Sequence, residues 1–223
     1  MSDEGFKQTD LILDDLERQL TAEYQQAADE ITEKANAYFA RFQKEDAVMR
    51  EKLNNKLITK AQYGEWRTRR MMQGSYWTAM KNALADDLVN TDKLAMQYVT
   101  DAYKDVYALN MNYGTYLIEN DSEIDTAFTL YNRDAVERLI KENPDLLPPP
   151  VDIAKDMRWN KQKIQSAVLQ GILQGESIPK IADRLSRVAN MDKNAAVRNA
   201  RTAVTSARMA EDSILWREQK NGA

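Results

Sequence analysis

The 223 residues include neither cysteine nor histidine, and only 7 glycines and 5 prolines. Thiol nucleophiles, disulfides, imidazole acid–base chemistry and zinc sites built on Cys or His are therefore excluded. A chain without cysteine fits a reducing compartment. The start, MSDEGFKQTDLILDDL, carries acids where a signal peptide needs basic charge and then an apolar run, and no stretch is apolar enough to span a bilayer. The expectation is a soluble intracellular chain with no membrane partner, in which Asn120-Asp121-Ser122 is a chance sequon. Phosphate loops of the GxxxxGK[ST] type, GxGxxG turns and a serine nucleophile elbow are also missing. With 35 acids, close pairs such as Asp14-Asp15 and Asp86-Asp87 arise by chance, and neighbours in a helix do not face one another. No catalytic, cofactor-binding or metal-binding residue is assigned, and the expectation is a protein that is not an enzyme.

What the chain has in quantity is helix-forming sequence. Between Gly5 and Gly64 there is no glycine or proline, in a stretch rich in Ala, Glu, Lys, Gln and Leu. Charge is divided unevenly. Residues 1–150 hold 18 basic and 27 acidic side chains, a net of −9, whereas 151–223 hold 13 and 8, a net of +5, giving the overall −4. The step falls at Leu146-Leu147-Pro148-Pro149-Pro150, where three prolines forbid a continuous helix. The expected fold is mainly α: a long helical hairpin over 1–90, a tyrosine-rich helical region over 91–150, and a basic three-helix unit over 151–223.

Apolar or small residues recur at Leu13, Leu16, Leu20, Tyr24, Ala27, Ile31, Ala35, Tyr38 and Phe42, then Met49, Leu53 and Leu57. Steps of 3, 4 and 4 make an eleven-residue period, which belongs to a nearly straight or weakly right-handed helix and not to a leucine zipper. One helix over 10–58 is predicted, with Leu13, Leu16, Leu20, Ala27, Ile31, Tyr38 and Phe42 as its packing face and a loosening at Asp46, which interrupts the stripe. Thr59-Lys60-Ala61-Gln62 matches a capping box, with Ile58 and Tyr63 as its staple. A second helix follows, with Trp66, Met80, Leu84 and Leu88 on its apolar face and a bend at Gly74; a third opens at Thr91. Trp66 and Trp77 read as packing residues.

Six of the 10 tyrosines, Tyr98, Tyr103, Tyr107, Tyr113, Tyr116 and Tyr131, lie between residues 98 and 131. The asparagines and glycine of 108–116 are expected to end a helix, 116–118 and 127–131 could pair as a short β-hairpin, and Asn132 could cap a helix to Glu142. Tyrosines so spaced wedge helices together, or else stack bases, though the region is acidic.

Beyond the prolines, a helix is expected after Asn160, bearing Ile164, Val168 and Ile172 and ending at Gly171 to Gly175. A short helix begins at Ser177-Ile178-Pro179 and carries Ile181, Leu185 and Val188; Asp192 caps a longer one through about Trp216. Residues 171–185 are similar to the first half of a helix-turn-helix, which makes a nucleic-acid reader at 161–209 the alternative function. The last helix has a stripe of Val197, Ala200, Val204, Ala207 and Ile214, and Arg198, Arg201 and Arg208 fall on one flank. Those arginines could grip phosphate or an acidic partner surface, or form a solvated face with intrahelical ion pairs.

The runs YALNMNYGTYLIE, DTAFTLYNRDAVERLIKENPDLLPPP and WNKQKIQSAVLQGILQGESIPKIADRLSRVANMDKNAAVRNARTAVTSARMAE resemble the minor head proteins of tailed bacteriophages and prophages, the phage head morphogenesis family. The similarity covers roughly 95–215, and Trp159-Asn160, Gly171 to Ile181 and Ala200-Arg201-Thr202 carry most of it. The resemblance implies a minor capsid protein that associates with the portal and other head proteins and affects procapsid assembly or the behaviour of packaged DNA at ejection. It also implies a bacterial host cytoplasm during assembly and the virion head afterwards. From the residues themselves, the helical hairpin could supply partner or homo-oligomer contacts, and the basic end is expected to contact DNA at most weakly and without sequence preference. Family members commonly continue into a histidine-containing region; this chain has no histidine, so a truncated or short natural form is expected and that region's role is not carried over.

Overall fold

A computed structural model describes residues 3–122, 137, 138, 141 and 152–221, with side chains over 7–113, 137, 138, 141, 152 and 154–209. The fold is mainly α. Six helices and no strand occur among the described residues: α1 (Asp3–Ala40), α2 (Gln43–Asn54), α3 (Lys60–Met71), α4 (Ser75–Ser122), α5 (Ile153–Leu173) and α6 (Ile178–Asn221). None of the described helices is long and apolar enough to cross a membrane.

The helix expected over 10–58 is interrupted at Arg41-Phe42, not at Asp46. The Phe42 amide donates to Phe39 O at 2.9 Å, a tight turn that seats the Phe42 ring edge-on against Tyr38, with centroids 5.5 Å apart. Aromatic burial replaces the missing breaker residue. Asp46 then lies in the first turn of α2, where a carboxylate suits the helix dipole. Thr59 forms the capping box in full: its Oγ1 accepts from the Gln62 amide at 3.2 Å, and its own amide donates to Gln62 Oε1 at 2.8 Å. Gly74, at φ +91°, is a break between α3 and α4 and not a bend within a helix.

Further boundaries differ from expectation in one direction, toward longer helices. α4 runs through Thr91, whose hydroxyl donates to Asp87 O at 3.0 Å in the helix interior instead of capping a new helix. It also runs through 108–116 to Ser122, because Tyr103, Tyr107, Asn110 and Met111 are buried and tertiary packing overrides weak local propensity. Residues 116–118 are thus helical; 127–131 and Asn132 lie outside the described residues. α5 starts at Ile153, capped by Asp152, which accepts from the Lys155 amide at 3.0 Å. α6 passes unbroken through Asp192, whose carboxylate takes Lys163 Nζ at 2.5 Å instead of capping.

The chain forms two compact units. The first comprises Met1–Thr21, Leu94–Pro150 and Asn194–Ala223; its interior holds Leu16, Leu20, Val99, Tyr103, Val106, Tyr107, Val204 and several alanines. The second comprises Ala22–Lys93 and Val151–Lys193. There α1 and α4 run antiparallel as the arms of a hairpin, joined by Tyr24–Asp92 and Lys34–Asp87 bonds and the Tyr38–Trp77 ring contact, with α2 and α3 between them in sequence. Ile31, Ala35 and Phe39 of α1, Leu84 and Leu88 of α4, Ile164, Val168 and Ile172 of α5, and Ile181 and Leu185 of α6 share one core.

Candidate functional site

The second unit contains a tight α5–turn–α6 corner. Ile164, Val168 and Ile172, at i, i+4 and i+8, bury one face of α5, and Ile178, Ile181, Leu185 and Val188 do the same for α6. Gly175 reverses the chain at φ +71°: its amide donates to Ile172 O at 3.0 Å and the next amide, of Glu176, to Gly171 O at 2.9 Å, a Schellman closure with glycine where the left-handed residue is required. Gly171 is required for a different reason, since a Cβ there would stand 2.8 Å from Ile181 Cγ1 and 2.9 Å from Glu176 Oε2. Pro179 sits in the first turn of α6, where a missing N–H costs nothing.

Polar groups lock this corner from two sides. Arg184 grips Glu176 with Nε at 3.0 Å and Nη2 at 2.5 Å, and Nη2 also reaches Gln174 Oε1 at 2.7 Å. The hydrogen bonds from Arg184 hold the Glu176 carboxyl below the usual range against the opposing effect of burial. On the main-chain side, Glu176 O accepts from Arg50 Nη2 at 3.1 Å and Arg67 Nη1 at 3.0 Å. Both guanidiniums also converge on Asp46: Arg50 Nε at 2.9 Å, and Arg67 Nε in ionic contact at 3.0 Å. Arg67 is wholly buried. Tyr63 donates to Asp46 Oδ1 at 2.7 Å, and burial followed by that bond pushes its phenol up to about 12. Residues from α2 and α3 thereby fix a turn more than 100 positions later in the chain.

Outside the locked corner, α5 and α6 leave a groove of about 500 Å³, lined among others by Trp159, Lys163, Ala167, Arg184, Arg187 and Met191. Trp159 is 57% exposed and Met191 66%. The Lys163 ammonium lies 5.6 Å from the Trp159 ring centroid. No carboxylate lines this groove. A larger cavity of about 1000 Å³ is lined by Arg50, Tyr63, Gly64, Arg69 and Ile172 among others, but Arg50 is paired with Asp46 and Arg69 with Glu65. A half-buried acid lies elsewhere in the unit: Asp92 accepts from the Tyr24 hydroxyl at 2.7 Å, and its carboxyl is pushed up to about 6, chiefly by desolvation, with Asp192 and Asp156 adding to the rise.

In the packing face read from sequence, Leu16, Leu20, Ala27, Ile31, Tyr38 and Phe42 are buried, Leu13 is half-buried, and farther on Leu57 is exposed. The three arginines all lie on α6 within the first unit. Arg198 is exposed; Arg201 is held by Glu17 in a two-pronged pair, Nε at 2.5 Å and Nη2 at 2.9 Å; Arg208 is half-buried. Sequence reasoning missed the exposed role of Trp159 and Met191. The available signal was phase: Trp159 falls one position out of register with the stripe at 164, 168 and 172, so it cannot share their buried face. Asp46 stands out in the sequence only as an interruption of the stripe, and Arg67 not at all, because their pairing is not local.

Among the described residues no group of three or more Asp, Glu, His or Cys is placed to hold a metal ion. Comparison of the chain with known protein-family profiles, with curated proteins and with solved structures finds no match.

Proposed function

We propose that this chain is a structural, non-enzymatic minor head protein of a tailed phage or prophage that acts in head morphogenesis by associating with the portal and other head proteins. The observation that carries the reading is a coincidence of position. Two of the three pieces that carry most of the family resemblance, Trp159-Asn160 and Gly171 to Ile181, fall in the α5–α6 corner, beside a groove rimmed with cations where Trp159 and Met191 stand exposed. Exposed aromatic and thioether side chains beside arginines suit a protein partner. The proposed setting is the host cytoplasm during assembly and the virion head afterwards.

A nucleic-acid reader at 161–209 is the competing account. Three of its cations are engaged within the chain, Lys163 by Asp192, Arg184 by Glu176 and Arg201 by Glu17, and a phosphate would have to displace those carboxylates. Weak, non-specific DNA contact through Arg198 and its neighbours is compatible with the head-protein role. Co-expression with the portal from the same genome is the test. The chain is expected to co-purify with assembled portal and to show no hydrolase activity. Recovery of the chain only in free form beside properly assembled portal would contradict the proposal. On DNA, three phosphate contacts give a log–log salt slope of about −2.7. A sequence-specific complex at physiological salt, lost when Arg198, Arg201 and Arg208 are all changed to Ala, would favour the reader.

A further inference from the structure

Charge is divided between the units. The first carries 19 acidic and 11 basic side chains, a net of −8, and the second carries 16 and 20, a net of +4. Inside the net-positive unit the balance reverses at one place. The Asp92 carboxyl of α4 accepts from the Tyr24 hydroxyl of α1 at 2.7 Å and stands in the field of Asp156 and Lys163 of α5 and Asp192 of α6, three carboxylates to one ammonium. These are the titratable and charged groups that face Asp92 from the helices around it. On α5, Asp156, Asn160 and Lys163 share one face at i, i+4 and i+7. Asp192 Oδ2 and Asn160 Nδ2 are buried with no hydrogen-bond partner, and a polar network with an unused acceptor and an unused donor has more than one way to bond. Lys163 links this cluster to the surface. Its Nζ donates to Asp192 Oδ1 at 2.5 Å and lies 5.6 Å from the centroid of the Trp159 ring, and Lys163 and Trp159 both line the α5–α6 groove.

We infer that Asp92, Asp192 and Lys163 form a proton-operated switch at the edge of the α5–α6 groove. With a proton from solvent on the Asp92 carboxyl, the Lys163 ammonium is left to Asp192 and lies against Trp159. When Asp92 returns that proton to solvent, a second carboxylate competes for the ammonium and draws it inward, away from the ring. Carboxylates crowded in a half-buried place resist joint ionisation, so one proton is held into the mildly acidic range. Asp92 is where it stays. Desolvation, and after it the charges of Asp192 and Asp156, push its carboxyl up to about 6 against the opposing effects of Tyr24 and Lys163. Asp92 does not line the groove, yet its proton decides how closely a cation sits on the Trp159 ring there. The inference rests on the cluster and the groove and not on the portal assignment; failure to find portal would leave it standing.

The test follows the Trp159 indole N–H by proton–nitrogen NMR in the full-length protein from about pH 4.5 to 8, with the signal assigned by Trp159→Phe and folding checked by circular dichroism. The wild-type signal should shift in one step with a midpoint of about 6. Asp92→Asn should abolish the step. Asp192→Asn removes a like charge and leaves the ammonium to Asp92, so the midpoint should fall by about half a unit or more. Lys163→Met should abolish the step at Trp159 while the melting temperature keeps its dependence on pH, because Asp92 still titrates. If Asp92→Asn does not fold, the other two variants decide. A Trp159 signal indifferent to pH in the wild type, a step that survives Asp92→Asn or Lys163→Met, or a midpoint unmoved by Asp192→Asn would overturn the inference.

Discussion

The two units solve the same packing problem with different materials. The net +4 unit builds its core from branched and aromatic side chains contributed by several helices, and buries a polar lock of Asp46, Arg67 and Tyr63 within it. The net −8 unit uses small residues, Ala95, Ala102, Ala200, Ala203 and Ala207, with Tyr103 and Tyr107 stacked at 6.3 Å between ring centroids. Alanines let helix backbones approach, and the tyrosines occupy the width that remains. One unit therefore depends on specific long-range pairing, and the other on closeness of fit.

That contrast is breakable by mutation. The largest effect should come from Arg67→Ala, which leaves the buried Asp46 with only the partly exposed Arg50 as ionic partner and removes a wholly buried side chain, and costs about 3–5 kcal/mol in chemical denaturation. Changing Asp46 and Arg67 together to Leu should recover part of that loss; no recovery would mean that the guanidinium's packing, not charge pairing, holds the corner. Next come matched core changes. Ile181→Ala in the second unit should cost roughly 2–5 kcal/mol through an unfilled cavity. In the first unit Ala203→Leu should cost roughly 1–3 kcal/mol by overpacking. If the alanine position accepts leucine without loss, close approach of helices is not what orders that unit.

A pH effect of intermediate size belongs to the second unit. The Asp92 carboxyl, raised from an ordinary 3.8 to about 6, keeps its proton in the folded chain over a range where the unfolded chain has released it. Its contribution therefore grows more favourable as pH falls from 7 toward 4, and at pH 7 the ionised group costs on the order of 2 kcal/mol. Asp92→Asn should raise the melting temperature at pH 7.5 and leave it nearly unchanged near pH 4. Below the ordinary range of a glutamate the trend turns, because protonation of Glu176 releases Arg184. The smallest effects form a pair. Tyr63→Phe removes the hydroxyl that serves Asp46 and should cost about 1–2 kcal/mol. Tyr103→Phe should be neutral or slightly stabilising, since the Tyr103 hydroxyl is buried with no hydrogen-bond partner.

Local signals in the chain were legible where the structure is local. The capping box at Thr59 needs only four consecutive residues, and the α1 stripe needs only periodicity. Boundaries set by distant burial were not. Nothing in the neighbourhood of Arg41-Phe42 breaks a helix; the turn exists because the Phe42 ring finds Tyr38. Asn110 and Asn112 disfavour a helix interior on local grounds, yet α4 continues through them because Asn110 and its neighbours are buried by other elements. Asp192 has the chemistry of a cap and is used for an ion pair with Lys163 instead. Of the candidate surface, the charge asymmetry was visible in composition, but the groove beneath Trp159 required the orientation of two helices that only the fold supplies.

Occupancy of mature heads, with and without nuclease, bears most directly on the reading of this chain as a protein-held head component. Purified phage or induced prophage particles would be opened, treated with DNase, and sedimented, and the chain quantified in the pellet against the portal by mass spectrometry. The chain should sediment with the portal-bearing shell in a fixed ratio that DNase leaves unchanged. Absence from particles at every stage of assembly, or release in step with digestion of the DNA, would contradict it.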